Sequence, residues 1–101
     1  MKLWVDDVRP APGDMFHDWA WVKTVKNAIL MIEVQEEVGN PIEFIDIDHD
    51  AGDYGPPDYI KLLDWLEATG RNYPIHIHSM NSVGRENMRR IIERNGWKEI
   101  R

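Results

Sequence analysis

Acidic residues and histidines cluster at the ends of three short apolar runs in this 101-residue sequence. The first run leads into Asp6 and Asp7, the second into the segment 46–50, and the third into the segment 76–81. In an open α/β sheet, ligands bind at the carboxyl ends of the parallel strands. The three clusters therefore predict one shared polar site, built around a metal ion and a phosphate group.

The pair Asp6 and Asp7 directly follows the first apolar run. Adjacent carboxylates repel each other, and a nearby cation offsets this repulsion. Mg²⁺ binds one or two carboxylates together with water and phosphate oxygens, so the pair is a candidate metal site. The alternative is a solvated pair that starts a turn. Arg9 follows closely and either contacts a bound phosphate or neutralises one of the two carboxylates.

Three further acids, Asp46, Asp48 and Asp50, alternate along the second cluster and nominally share one face of a strand. Three carboxylates on one strand edge are costly without a cation, so Asp48 and Asp50 are candidates for metal binding or catalysis. Asp46 has the alternative role of capping neighbouring backbone groups. His49 lies between the acids and is a candidate general acid or base near neutral pH.

The third cluster places His76 and His78 on one strand face, directly before a predicted helix. His78 is a candidate catalytic residue, and a transition-metal site of His49, His76 and His78 is the alternative to a site of oxygen ligands. Helix N-termini bind anions through free N–H groups and the helix dipole. The candidate phosphate contacts at this helix start are Ser79, Asn81, Gly84 and Arg85. Ordinary helix capping by Asn81 or Ser82 is also expected.

The composition predicts one folded domain that spans residues 1–101, with 43% hydrophobic and 30% charged residues. The formal net charge of −6 disfavours nonspecific binding to nucleic acid. The absence of cysteine excludes disulfides and thiolate metal sites. No apolar run approaches the roughly 20 residues of a membrane span, and none resembles a signal peptide. We therefore expect a cytoplasmic protein that binds a small phosphate-containing ligand, with its oligomeric state left open.

Alternating strand and helix patterns predict an α/β fold with a mostly parallel, five-stranded sheet and about three helices. The predicted strands cover residues 2–6, 20–23, 42–47, a run from Pro74, and 97–101. The predicted helices follow Thr24, Asp58 and Asn81 or Ser82. A proline-containing loop over residues 8–18 replaces the first crossover helix. Of the five tryptophans, Trp19 or Trp21 is a candidate to line a ligand pocket.

The arrangement resembles the response-regulator receiver domain, a three-layer, flavodoxin-like fold. An Asp pair follows the first strand, an Asp the third and a Ser the fourth. A closer resemblance is to the cyclic-phosphate-processing receiver-like family. It is carried by Asp6-Asp7-x-Arg9-x-x-Pro12, Asp48-His49-Asp50 and His78-Ser79-x-Asn81-x-Val83-Gly84-x-x-Asn87-Met88. The sequence departs from the family pattern at Ala51 and Ser82, and Lys98 does not match the receiver lysine.

The strand-end clusters and this resemblance together imply a metal-dependent phosphoesterase that opens a cyclic phosphate in a nucleotide or an RNA-derived product. Its Mg²⁺ or Mn²⁺ ligands would be Asp6, Asp7, Asp48 and Asp50. Asp48 would act in catalysis, and either His49 or His78 would transfer the proton. The phosphate contacts would be Arg9, Ser79, Asn81, Gly84 and Arg85. Two alternatives remain open: a signalling module phosphorylated on Asp48, and a sensor that binds a cyclic phosphate without turnover.

Overall fold

The computed structural model describes residues 1–11, 19–49 and 59–101. Five parallel strands form one sheet in the order β2-β1-β3-β4-β5. The strands are β1 (Lys2–Val5), β2 (Trp19–Val22), β3 (Ile45–Ile47), β4 (Ile75–Ile77) and β5 (Glu99–Ile100). The helices in the described residues are α1 (Val25–Glu37), α2 (Ile60–Ala68) and α3 (Ser82–Asn95). These elements confirm the predicted receiver-like α/β fold.

Two of the three helices begin at the predicted capping residues. The Thr24 hydroxyl accepts a hydrogen bond from the Asn27 N–H at 3.0 Å, and α1 starts directly after it. The Asn81 side chain does the same for the Gly84 N–H at the start of α3. Gly96 ends α3 in the left-handed conformation, with φ 69°, where glycine lacks the steric penalty of other residues. Asp58, the predicted cap of α2, lies outside the described residues.

One face of the sheet is apolar and carries the core. The fully buried strand residues on this face include Leu3, Val5, Ile45, Ile47 and Ile75. Apolar stripes of the three described helices pack against them in a single cluster. The buried stripe residues are Val25, Ala28 and Ile32 of α1, Leu62, Leu63 and Leu66 of α2 with Tyr59 before it, and Met88, Ile91 and Ile92 of α3. All three described helices therefore lie on this face.

The opposite face of the sheet carries aromatic and polar side chains. Trp4, Asp46 and His76 occupy one row across β1, β3 and β4. The Trp19 ring packs edge-on against Trp4, with centroids 5.7 Å apart. The Arg9 carbonyl accepts a hydrogen bond from Trp4 Nε1 at 2.6 Å, so the loop after β1 lies against this face. In the described residues no helix forms a third layer. Residues 6–11 after β1 are irregular, and the rest of the predicted loop over residues 8–18 lies outside the described residues.

The structure shortens some of the predicted elements. The third strand covers only Ile45–Ile47. The last strand covers only Glu99–Ile100, because Trp97 turns into the core and is 7% exposed. Arg89 lies on α3 among exposed arginines such as Arg85 and Arg90. Its side chain is instead 16% exposed and pairs with Glu99 at 2.7 Å. Among the described residues, no helix has the length and apolar character needed to cross a bilayer.

Candidate functional site

The candidate site lies where the strand order reverses. Asp6 follows β1 and Asp48 follows β3, and these two strands are neighbours in the sheet. The chain passes from β1 outward to β2 and then returns to β3 on the other side of β1. In open α/β sheets the crevice at such a switch point binds ligands. His78 directly follows β4, so three strand ends meet here, as the sequence predicts.

Asp6, Asp48 and His78 form a possible metal-binding group. Each offers one ligand atom, and these atoms all lie within 4.8 Å of one another. Asp6 is 2% exposed, and its Oδ1 accepts hydrogen bonds from the N–H groups of Val8 and Arg9, both at 2.9 Å. Asp48 Oδ1 accepts the His49 N–H at 2.7 Å. One oxygen of each carboxylate is therefore held by the backbone, which orients both acids.

The contacts of His78 fit a cation at this position. Its Nε2 lies 2.9 Å from Asp6 Oδ2, and its Nδ1 lies 2.5 Å from Asp46 Oδ1. A neutral imidazole has only one N–H, so it can donate to only one of these two carboxylates. A divalent cation between Asp6 and Nε2 leaves Nδ1–H to donate to Asp46. The carboxylates of Asp6 and Asp48 also provide the negative charge that such an ion requires.

Asp46 orients His76, which lies in β4, and His78, which directly follows it, and the spacing of these residues in the sequence does not indicate this role. It is 6% exposed, and its Oδ1 lies 2.9 Å from His76 Nδ1 as well as 2.5 Å from His78 Nδ1. Metal-binding histidines commonly donate their second N–H to a carboxylate, which fixes the ring orientation. The Trp4 ring stacks on His78 at 3.9 Å with an interplanar angle of 1°. The imidazole of His78 is thus held at both nitrogens and on one face.

Not all predicted metal ligands belong to this group. Asp7 is half-buried beside Asp6 but is not one of the three grouped residues. Asp50 lies outside the described residues. Arg9 is exposed and, within the described part of the chain, forms no ion pair with Asp6 or Asp7. Its backbone N–H, rather than its guanidinium, binds the Asp6 carboxylate.

The predicted phosphate contacts lie together at the start of α3, but several are engaged locally. Ser79 is 5% exposed, and its Oγ accepts the Asn81 N–H at 3.1 Å. The Gly84 N–H donates to Asn81 Oδ1 at 3.0 Å, so it already has a hydrogen-bond partner. Arg85 is exposed on the first turn. The arrangement places a capped helix start, rather than a set of unbonded amides, beside the acidic group.

His49 packs directly on this helix start at Gly84. A Cβ added to Gly84 would lie within 2.6 Å of the ring atoms Cγ, Cδ2 and Nδ1 of His49. Only glycine leaves enough room for the imidazole at this distance. The Asn81 amide nitrogen lies 3.5 Å from His49 Nδ1, and the His49 carbonyl accepts the Tyr59 N–H at 2.8 Å. Gly84 therefore leaves the space in which the His49 ring packs against α3.

The strand order, together with acids after β1 and β3 and a serine after β4, defines a receiver-like α/β domain. The family model of the cyclic-phosphate processing receiver domain matches residues 1–94. The chain belongs to this family. No curated protein and no solved structure gives a significant match.

Proposed function

We propose that this domain is a metal-dependent phosphoesterase that opens a cyclic phosphate in a nucleotide or an RNA-derived product. The observation that carries the proposal is the group of Asp6, Asp48 and His78 at the switch point, with Asp46 behind His78. The family to which the chain belongs supports the choice of a cyclic phosphate as substrate. The partner is accordingly a small phosphate-containing molecule.

The donor set supports Mn²⁺ as the preferred cofactor, with Mg²⁺ as the second candidate. Mg²⁺ favours oxygen ligands in octahedral geometry, whereas an imidazole nitrogen together with carboxylates suits a transition metal better. Asp7, next to Asp6, remains a candidate for a further contact through water. The cation, when bound, would polarise a phosphoryl oxygen and lower the pKa of a bound water.

His49 is our candidate for the residue that transfers the proton. Both ring nitrogens of His78 face carboxylates, from Asp6 and Asp46, which supports a ligand role for that histidine. His49 is half-buried at the same edge of the sheet, and its packing against Gly84 restrains the ring. A restrained imidazole is suited to general acid–base chemistry because its geometry is set before the substrate binds.

The phosphate contacts we propose come from the rim of the site. Arg9 follows β1 and Arg85 lies on the first turn of α3, both are exposed, and guanidinium groups form charge-assisted hydrogen bonds with phosphate. Ser79 and Asn81 lie in the turn before α3 and add neutral polar groups. The Gly84 N–H is already bonded to Asn81, so we assign Gly84 to the positioning of His49 instead.

The test is ring opening of 2′,3′-cyclic nucleotides and of cyclic-phosphate ADP-ribose, followed by phosphorus NMR with Mn²⁺, with Mg²⁺ and with neither. We expect cleavage that depends on the metal. Asp48→Asn should abolish it while the circular dichroism spectrum stays unchanged. Asp64→Asn is the matched control, because Asp64 is an exposed acid on α2 whose side chain is 48% exposed. A fully active Asp48→Asn variant would refute the assignment.

A second candidate function is that of a phosphoacceptor module. The supporting observation is the place of Asp48, which directly follows β3 in a receiver-like sheet and is half-buried rather than sealed from solvent. Incubation with acetyl phosphate followed by intact-mass measurement separates the two functions. A labile phosphoryl adduct that disappears in Asp48→Asn, without ring opening, supports the phosphoacceptor. Ligand-induced NMR shifts without turnover or adduct support a sensor of cyclic phosphate.

A further inference from the structure

A groove of about 600 Å³ runs between the edge strand β2 and helix α1. This volume lies in the range of sites that hold small molecules. Its apolar wall includes Trp21, Leu30, Met31 and Val34. Leu30 is 57% exposed and Val34 43% exposed, and the two lie one turn apart on α1. The helix therefore presents an apolar stripe that forms one side of the groove.

The groove adjoins the candidate metal group through Trp21. The indole Nε1 donates a hydrogen bond to the Asp6 carbonyl at 2.7 Å, and the Asp6 N–H donates to the Val22 carbonyl at 3.2 Å. Neighbouring strands in a sheet are about 4.8 Å apart. A phosphate bound beside Asp6 would therefore have the end of the groove one strand away. A ring attached to that phosphate through a sugar can reach the groove.

The same end of the groove carries a positive charge. Lys23 Nζ lies 4.8 Å from the centroid of the Trp21 ring, and Lys23 is one of the lining residues. A ligand complementary to this lining has a flat, largely apolar part for the indole and the α1 stripe, and an anionic group near the lysine. A nucleoside phosphate has both features.

We propose that the groove between β2 and α1 is the nucleobase subsite of the phosphate site. The base would contact Trp21 and the α1 residues Leu30 and Val34, while its phosphate lies at the Asp6 end. This inference rests on the proposed function, because it names the part of the substrate that the groove recognises. It also accounts for an exposed apolar stripe that the fold itself does not require.

The test compares binding of adenosine 3′-monophosphate with binding of glycerol 2-phosphate, which has no base, by calorimetry on the full chain with Mn²⁺. We expect the nucleotide to bind at least tenfold more tightly. Leu30→Asp should remove this advantage and leave glycerol 2-phosphate binding unchanged. Val38→Asp is the matched control, because Val38 is a 67% exposed apolar residue at the end of the same helix and does not line the groove.

Leu30→Ser is a second variant with the same expectation, in case the aspartate disturbs the fold. Equal affinity for the two phosphates, no binding of the nucleotide, or an undiminished nucleotide preference in both Leu30 variants would overturn the inference. Binding requires no turnover, so this result is independent of the ring-opening assay. Ring opening of a cyclic phosphate that has no base, combined with no base preference in binding, would leave the proposed function standing and refute the subsite alone.

Discussion

Replacement of Gly84 with alanine tests the packing of His49 on α3. An ideal Cβ at this position lies within 2.6 Å of three ring atoms of His49, whereas an ordinary contact is 3.4–4 Å. The imidazole or the first turn of α3 must therefore move by about 1 Å, since repulsion rises steeply below contact distance. One of the three atoms is Cγ, the ring atom nearest the backbone. Rotation of the ring about the Cβ–Cγ bond leaves Cγ in place, so it cannot relieve the overlap.

Two opposing terms determine the stability of Gly84→Ala. Alanine in a helix interior is favoured over glycine by up to about 1 kcal/mol. An extra methyl group forced into a packed site costs about 1–3 kcal/mol. Gly84 is not among the glycines with positive φ, so the backbone adds no penalty. We expect a net loss of about 0–3 kcal/mol in the free energy of unfolding, from the difference of these terms.

A double-mutant cycle with His49→Ala isolates the overlap. In the His49→Ala background the added methyl group meets no ring, so Gly84→Ala should stabilise the protein by up to about 1 kcal/mol. The sign of the effect should therefore reverse between the two backgrounds, with a coupling free energy of about 1–3 kcal/mol. Urea unfolding of the four proteins measures this coupling. Ser82→Ala, an exposed change in the same helical turn, is the control.

The Gly84→Ala variant should also lose activity, because a misplacement of the His49 ring by about 1 Å can cost on the order of 100-fold in rate. We expect ring opening by Gly84→Ala to fall at least tenfold, with changed chemical shifts of the His49 ring. A Gly84→Ala protein with wild-type stability, activity and His49 resonances would refute the packing argument. A destabilising effect of equal size in the His49→Ala background would show that the strain comes from another contact.

Two further predictions follow from ion pairs of the fold. Asp46→Asn removes the carboxylate that orients His76 and His78, so Mn²⁺ affinity measured by calorimetry should fall about 10–100-fold; an affinity equal to that of Asp64→Asn would contradict this. Hydrogen bonds from Arg71 and Tyr73 hold the pKa of Glu36 below its usual value of 4.5. The unfolded chain then binds this proton more readily, so the stabilisation is present above pH 4.5 and is lost as the pH falls through the lowered pKa. Glu36→Gln should flatten this acid-side loss in the free energy of unfolding, and an unchanged slope would contradict the assignment.

Much of the fold follows from local patterns that act within a few residues. Thr24 and Asn81 cap helices through their own side chains, and Gly96 ends α3 because it accepts a left-handed conformation. The meeting of Asp6, Asp48 and His78 was also predictable, since parallel strands bring their carboxyl ends to one edge. The exact strand lengths were not predictable from the sequence. The sheet register sets the ends of β3, and the packing of Trp97 sets the start of β5.

Local sequence patterns predict the class of fold, two of the helix caps and the strand ends that carry acids and histidines. The roles of individual residues depend on contacts that form only in the folded chain. In the folded chain Asp46 contacts His76 and His78, and Gly84 leaves the space in which the His49 ring packs. The physical reason is that these contacts join residues 30 or more positions apart, such as Asp46 and His76 at a separation of 30. Strand register and side-chain orientation set such contacts, and neither is encoded in the spacing of one segment.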